Sequence, residues 1–545
     1  MTMGRGVASV CHDAMPTNRG ACAVWGKILG GPVSKLWLPG QALAVRVQTG
    51  DNMLEVRCDR LPKPAGAASG RWRARGVSLA GALAAALLAT LAGCGGGGGG
   101  GGSSVITVPP VGGTPSDPVV VAPGCAVDEQ KVQLRDHFAA QYLWNTWSPK
   151  PELGVASTVD GYLEALRYAG GDPIPGDISG ARWPRDRWTG YQPTESFNRV
   201  YGDGESLGYG VAVAGQELQG QPERPLYVRY VEPASPAGLA GVRRGDQVLA
   251  LNGRSTPDII AADDFSALTA KVVGETLELR IRAVSGAEKI VTLRSSIYPL
   301  RPVDGRAVLS RPGGRQVGYL YVHQMIDQAV PRMIEAFADF RSANVNDVVL
   351  DLRYNGGGLV SVGRDLASLM AGPIAVGQPY AKLVYNRLQS GNDTTYGFGP
   401  SDAALSLKRV YVLAGRRTCS ASEQVVNGLR GVGVDVVLIG ETTCGKPVGW
   451  VPRNQCGNTY SIVNFESLNA RGQGRYFEGL VPTCVVPEDW RSPTGSAADP
   501  LTAAALLHAD TGRCPAVAEQ RAQPLAARER GSFRGELVTA PAMLP

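Results

Sequence analysis

The stretch Asp347–Met370, DVVLDLRYNGGGLVSVGRDLASLM, sets an unbroken apolar run against a glycine-rich turn and then a helical apolar spacing. A short apolar run closed by turn residues reads as a strand buried on both faces, here Asp347–Leu352, and Leu359–Met370 reads as a helix. The alternation recurs on either side. Val317–Val322 is a strand, and Arg332–Arg341 is a helix with Met333, Phe337 and Phe340 on one side. Val410–Ala414 and Val434–Ile439 are strands around a helix at Ala421–Leu429. Repeated strand–helix units predict an α/β core with a mostly parallel sheet, whose sites gather in loops at the carboxyl ends of the strands.

Three such loops hold chemistry-bearing residues. They are Asp351–Gly358 (DLRYNGGG), Thr418–Glu423 (TCSASE) and Gly440–Lys446 (GETTCGK). Each has a plain structural alternative. Ser420 with Glu423 is a helix capping box, glycines 356–358 fit a tight turn, and a single lysine is usually a surface residue. The third loop also approaches a phosphate-binding Gly-x-x-x-x-Gly-Lys loop. That motif needs a hydroxyl after the lysine and a following helix, whereas Pro447 stands there and Val448–Pro452 is not helical in pattern.

N-terminal to the core, residues 205–299 turn to strand patterns. Leu226–Val231 and Gln247–Leu251 are short apolar runs, and Thr276–Ala283 alternates strictly, while Ala261–Val273 reads as a helix. The segment resembles a PDZ domain: Glu232–Val242 (EPASPAGLAGV) and Arg244–Gly253 (RGDQVLALNG) match its central signature. The resemblance implies that Gly208, Tyr209, Gly210 and Val211 form a carboxylate-binding loop and that a peptide adds as an edge strand. A PDZ fold serving only as a lid, or holding the chain's own segments, is the alternative. Residues 125–197 read as a small helical domain with Trp144, Trp147, Trp183 and Trp188 in its core, and no motif for chemistry is visible there.

Taken in order around that segment, the three loops resemble the C-terminal processing (tail-specific) peptidases, serine–lysine proteases that usually carry a PDZ domain. The resemblance runs from about residue 130 to 510. It implies a crotonase-like core, Ser420 as nucleophile, Lys446 as general base, and the N–H groups of Gly357 and Ala421 as oxyanion donors. It implies peptide substrates with accessible C-termini, and neither metal, cofactor nor nucleotide. Two departures stand out. The Ser420-to-Lys446 separation is one longer than usual, and Trp450 replaces the glutamine that often orients the lysine. A lysine base must be neutral, so its pKa must fall from about 10.4 toward 7, roughly 4 kcal/mol against the charged form. A buried pocket poor in carboxylates would supply that, and none lies between Lys446 and Glu466. His323 is the one core histidine that could serve instead, or it is simply structural.

The charge is uneven. Residues 1–75 hold 11 basic against 4 acidic residues, leaving 43 against 44 elsewhere, so the body gives no electrostatic reason to bind nucleic acid. Arg71, Arg73 and Arg75 precede the charge-free run Val77–Leu91 and then Leu91-Ala92-Gly93-Cys94. Such a pattern is a secretory signal, too short for a membrane span. Its ending resembles a lipobox, which implies lipidation at Cys94 and a lipid-anchored protein on the periplasmic side of a bacterial envelope. Gly95–Gly102 and the Pro/Val-rich stretch to Pro123 read as a tether. Six further cysteines (125, 419, 444, 456, 484, 514) suit an oxidising compartment and up to three disulfides. Cys419 and Cys444 flank the candidate dyad and could pair, with Cys444–Cys456 as a competitor.

The expected plan is a targeting region over 1–93, with 1–52 read as an over-long start and Met53 as an alternative initiator. A lipidated tether follows over 94–124, then a helical domain over 125–197 and a PDZ-like domain over 198–300. The protease core spans 301–512 and a tail 513–545. The alternative function is a catalytically degenerate, envelope-anchored peptide-binding module.

Overall fold

The computed structural model describes residues 124–516, apart from 176–179, 216–217 and 219, and the strand backbones 34–38, 41–50, 53–60 and 542–544. The expected signal, Cys94 and the glycine tether lie outside the described residues. The chain divides into two units, Met1–Pro115 and Ser116–Pro545. In the first, Ser34–Leu38, Gln41–Gly50 and Met53–Arg60 pair antiparallel in that order.

The second unit is organised on a six-stranded sheet. Its strands are β1 (Val303–Ser310), β2 (Gln316–Val322), β3 (Asp347–Asp351), β4 (Arg409–Ala414), β5 (Asp435–Gly440) and β6 (Cys484–Val485), adjacent in chain order. β1 runs antiparallel to β2, and every other pair is parallel. Between the strands run α1 (Ala329–Ser342), α2 (Val360–Ala371) and α3 (Ala421–Gly431), followed by α4 (Pro500–Thr511). The apolar runs are continuous because both faces are covered. Val348, Leu350, Val410 and Val412 point to the layer holding Met333 and Phe337 of α1, Leu366 of α2 and Val425 of α3. Val349, Tyr411 and Leu413 point the other way, against Leu501, Ala504 and Ala505 of α4 and against Ala212 and Tyr230. Loops at the carboxyl ends of β3, β4 and β5 therefore open side by side.

The segment around residues 205–299 packs its own core around Val228, Val248, Leu279 and Ile281. Thr276–Arg282 alternates buried and exposed residues as its sequence predicts. The helix expected at Ala261–Val273 forms earlier, over Thr256–Ala262. Ser255 caps it by accepting from Asp258 N–H, Pro257 sits in its first turn, and Asp263 ends it at φ 49°. Ser255-Thr-Pro was thus the stronger start signal, outweighing the apolar periodicity downstream.

Residues 125–197 do not enclose a core of their own, contrary to expectation. Two helices, Val127–Gln141 and Val159–Leu166, bury Leu134, Phe138, Trp144, Leu163 and Trp183 together with Val448, Tyr460, Val463 and Phe477. A segment this short is marginal on its own, and the shared cluster enlarges its core. It also lends the strand Gly190–Pro193 to Asn458–Ser461 and is tied by the Cys125–Cys456 disulfide.

Candidate active site

Ser420 ends the β4 loop and starts α3 with φ 61° and ψ −117°, a conformation costly for a residue bearing a Cβ. The turn is held from below. Thr418 Oγ1 donates to Leu352 O at 2.8 Å, while Cys419 N–H and Ser422 Oγ both donate to Asn355 O at 3.1 and 3.0 Å. Only half of the expected capping box closes: Ser420 N–H donates to Glu423 Oε2 at 2.9 Å. The Ser420 hydroxyl is fully buried and makes no hydrogen bond among the described residues. The Ser420–Lys446 hydrogen bond is therefore not closed in this conformation, nor is one to His323.

Glu423 binds the two loops together. Its carboxylate also accepts from Gly445 N–H and Lys446 N–H, each at 2.8 Å, and from Thr443 Oγ1. Ser420 and Lys446 thus bond the same carboxylate oxygen, Oε2, through their backbones. A Cys419–Cys444 disulfide, Cα–Cα 5.2 Å, adds a covalent tie between the neighbouring positions, and Cys484–Cys514 completes the three pairs. Cys444–Cys456 does not form, because Cys456 is taken by Cys125. Cys419, Glu423 and Cys444 come within 4.8 Å of one another. With both sulfurs oxidised and the carboxylate already filled by donors, that cluster is no metal site.

Lys446 is 1% exposed, and its pKa is lowered to about 7 by burial, against the opposing charges of Asp186 and Glu423. The pocket is therefore not free of carboxylates, as the sequence suggested; burial outweighs two of them. Glu423 itself is pushed up by burial, while its four donors work the other way.

The β3 loop supplies the third wall. Asn355 Nδ2 donates to Val322 O at 3.0 Å, and Gly357 N–H donates to Asn355 Oδ1 at 2.9 Å. The amide expected to face an oxyanion is thus committed to a side chain in this conformation. Ala421 N–H is the first amide of α3 and has no intrahelical acceptor. Gly358 sits at φ 139° with a hypothetical Cβ 2.1 Å from Met325 O, so only glycine fits there. Along the same edge, Ala542–Leu544 runs parallel to Gly357–Leu359, residue against residue.

A cavity of about 280 Å³ joins this loop to the neighbouring domain, bordered by Gly356 and Gly357 on one side and by Gly208, Ala212, Ala270 and Lys271 on the other. Of the four residues expected to form a carboxylate loop, only Gly208 borders it. Tyr209 and Val211 point into the domain's own core, and the Gly210 carbonyl accepts from Glu232 N–H at 2.9 Å. His323 lines the cavity too, stacked at 4.0 Å on Tyr230, with its pKa lowered to about 3 by burial and by Arg229. Trp450 does not substitute for an orienting glutamine; it packs against Phe197, with ring centroids 6.0 Å apart.

Sequence reasoning missed Asp186. It is fully buried, accepts from Tyr142 Oη at 2.6 Å and from Trp188 and Thr189 N–H at 2.9 and 3.1 Å, and acts electrostatically on Lys446. Its only sequence signal was an acid between two arginines amid tryptophans, in a segment with no catalytic motif.

The 419–444 link yields a direct expectation. Peptide mapping without reductant should recover Cys419 joined to Cys444. Opening a loop of 25 residues should cost about 2–4 kcal/mol in a Cys419→Ala/Cys444→Ala variant. Free thiols at both positions in the air-oxidised protein would contradict the pairing.

Comparison with known proteins agrees with this layout. Residues 316–486 match the model of peptidase family S41, and 227–282 that of the PDZ domain. A carboxyl-terminal-processing protease of Picosynechococcus sp. is 29% identical over 266 residues, 47% of this chain and 59% of that protein. One from Synechocystis sp. is 30% identical over 214 residues, 39% of this chain and 47% of that protein. The chain thus spans about half the length of these curated relatives. A crystal structure assigned to the S41 proteases, from Bacteroides fragilis NCTC 9343, superposes with a TM-score of 0.53 at 23% identity. That match covers 70% of this chain and 97% of the other, and it supports the fold.

Proposed function

We propose that this chain, whose residues 316–486 match peptidase family S41 and whose residues 227–282 match a PDZ domain, is a serine endopeptidase of the C-terminal processing kind. The observation that carries the reading is the shared carboxylate: Ser420 and Lys446 hang on one Glu423 oxygen in a dry pocket where the lysine pKa is brought to about 7.

At that pKa about half of the lysine is a free amine at neutral pH, able to take the proton of Ser420 Oγ as the oxygen attacks the scissile carbonyl. The Ser420 hydroxyl makes no hydrogen bond among the described residues, which leaves it available to pair with the amine. Ala421 N–H faces the oxyanion. Gly357 N–H joins it once released from Asn355, and each donor is worth about 3–4 kcal/mol of barrier. Lys446 then returns the proton to the leaving amine, and water resolves the acyl-enzyme by the same route. None of these steps calls for a metal, cofactor or nucleotide.

Substrate enters as a strand. The Gly357–Leu359 edge accepts an extended segment, as its pairing with Ala542–Leu544 illustrates. On the PDZ side, Val211–Val213 ends its sheet and leaves an edge for a substrate tail near Gly208. One cavity links the two edges, which suits a protein gripped by its C-terminus and cut close by. Lipidation at Cys94 would hold the enzyme on the periplasmic side of the envelope. Three disulfides suit that oxidising compartment.

A fluorophosphonate probe should label Ser420 in the wild type and nothing in Ser420→Ala. Its rate should rise with pH through about 7, because only neutral Lys446 accepts the proton. Labelling that persists in Ser420→Ala, or a rate flat from pH 5 to 9, refutes the dyad.

A further inference from the structure

We propose that Ala542–Leu544, a segment of this chain's own tail, is a resident ligand of the active-site groove that a substrate must displace before it is cut. The inference rests on the peptidase reading above and deepens it, because it names what holds the site closed and the kind of segment the site takes.

The segment adjoins all three walls of the site. It runs parallel to Gly357–Leu359, with Ala542 opposite Gly357, Met543 opposite Gly358 and Leu544 opposite Leu359. Its Cα atoms come within 8 Å of Val448–Gly449, the short strand that begins two residues past Lys446, and of α3, the helix that Ser420 starts. The other edge of Gly357–Leu359 is taken by Met325. Its N–H donates to Gly357 O at 3.0 Å, and its carbonyl accepts from Leu359 N–H at 2.8 Å. Among the described residues Gly357–Leu359 pairs with no other strand, so Ala542–Leu544 lies along the edge left for an incoming peptide.

Main-chain pairing at an exposed edge is the form in which a peptide adds to a sheet. Pro541 and Pro545 lack the N–H that a ladder needs, which confines the pairing to the residues between them. Residues 537–545 carry no charge. The seated stretch is therefore short, extended and uncharged, and substrate segments of the same character compete with it best. The catalytic groups stand as a closed site requires. Ser420 is 0% exposed and Lys446 1%, so a substrate carbonyl reaches neither without a movement. Gly357 N–H, at the position where the segment begins, is turned to Asn355 Oδ1. A ligand carried on the same chain is not lost by dilution, so even this short ladder can hold a groove that the free peptide fills only at high concentration.

The test compares the full chain with one lacking residues 541–545, by the rate at which a fluorophosphonate labels Ser420. The shortened chain should label about five- to tenfold faster, the factor expected when the groove of the full chain is open about a tenth to a fifth of the time. Met543→Pro in the full chain removes an N–H from the middle of the segment without shortening the tail, and it should give the same acceleration. A peptide of residues 537–545 at about 1 mM should slow the shortened chain back toward the rate of the full chain. The same peptide with proline in place of Met543 should not. Equal rates in the full and shortened chains, or a slower shortened chain, overturn the proposal. Trimming of the wild type ahead of Ala542 that is absent from Ser420→Ala overturns it as well, because the segment is then a substrate consumed and not a ligand retained. Labelling in neither chain sinks the peptidase reading itself, a result distinct from equal labelling in both.

Discussion

Lys446→Met is expected to abolish cleavage and at the same time to stabilise the fold. Loss of the base should lower turnover of an unfolded protein substrate roughly 10³-fold or more. Stability moves the other way because the lysine is costly where it stands. Its folded pKa of about 7 lies below the ordinary value of 10.5, so folding strips a proton or buries a charge at any pH below that value. An apolar side chain of similar length removes the cost, on the order of 2–4 kcal/mol at pH 7. The pH dependence carries the sign. The stabilising gap between variant and wild type is full below pH about 7, shrinks as the unfolded chain's lysine approaches its own pKa, and vanishes above about 10.5. Urea unfolding at pH 6, 8 and 10 reads it directly. A variant less stable than wild type at pH 6 would mean that the ammonium is well paired there, and Lys446 would lose its standing as a base.

How much of this was legible in the sequence follows from how local each signal is. The β2–β5 strands and α2 and α3 emerged within a residue or two, because a sheet covered on both faces demands continuous apolar runs that few other structures need. Ser420, Glu423 and Lys446 were each visible for the same reason, since each lies in or just beyond a short loop after such a strand. Their relation was not visible. That one Glu423 oxygen binds both backbones is a fact of tertiary geometry, and the capping-box reading of Glu423 captured only its bond to Ser420. Asp186 was invisible altogether, because the lysine on which it acts electrostatically lies 260 positions away in the chain and its turn looks like core packing. Gly357 marks the converse limit. The glycine was found, but whether its amide faces a substrate or Asn355 Oδ1 depends on a peptide orientation that sequence does not encode.

Asp499→Ala should be the most destabilising single change near the site, costing about 3–5 kcal/mol. Arg353, in the β3 loop, is 1% exposed at its side chain and is held by Asp351 and by a forked pair of hydrogen bonds to Asp499, at 3.0 and 2.5 Å. Removing Asp499 leaves a buried guanidinium short of one anion. It also strips the cap from α4, where Asp499 Oδ2 accepts from Thr502 Oγ1 at 2.6 Å. Burial pushes the Asp499 carboxyl up, but Arg353 and Thr502 more than reverse this and hold it below the usual carboxylate range. Its contribution is therefore complete above pH about 4 and fades as pH falls further, so the gap between variant and wild type should narrow in acid. Activity should fall as well, since Arg353 fixes the loop that presents Gly357. Urea unfolding of Asp499→Ala, Arg353→Met and the double variant separates charge from cap. If the buried charge dominates, the double variant is more stable than Asp499→Ala alone, because no guanidinium is left unpaired. If the double variant instead loses the full sum of both single losses, the ion pair contributes nothing of its own and the cap carries the effect.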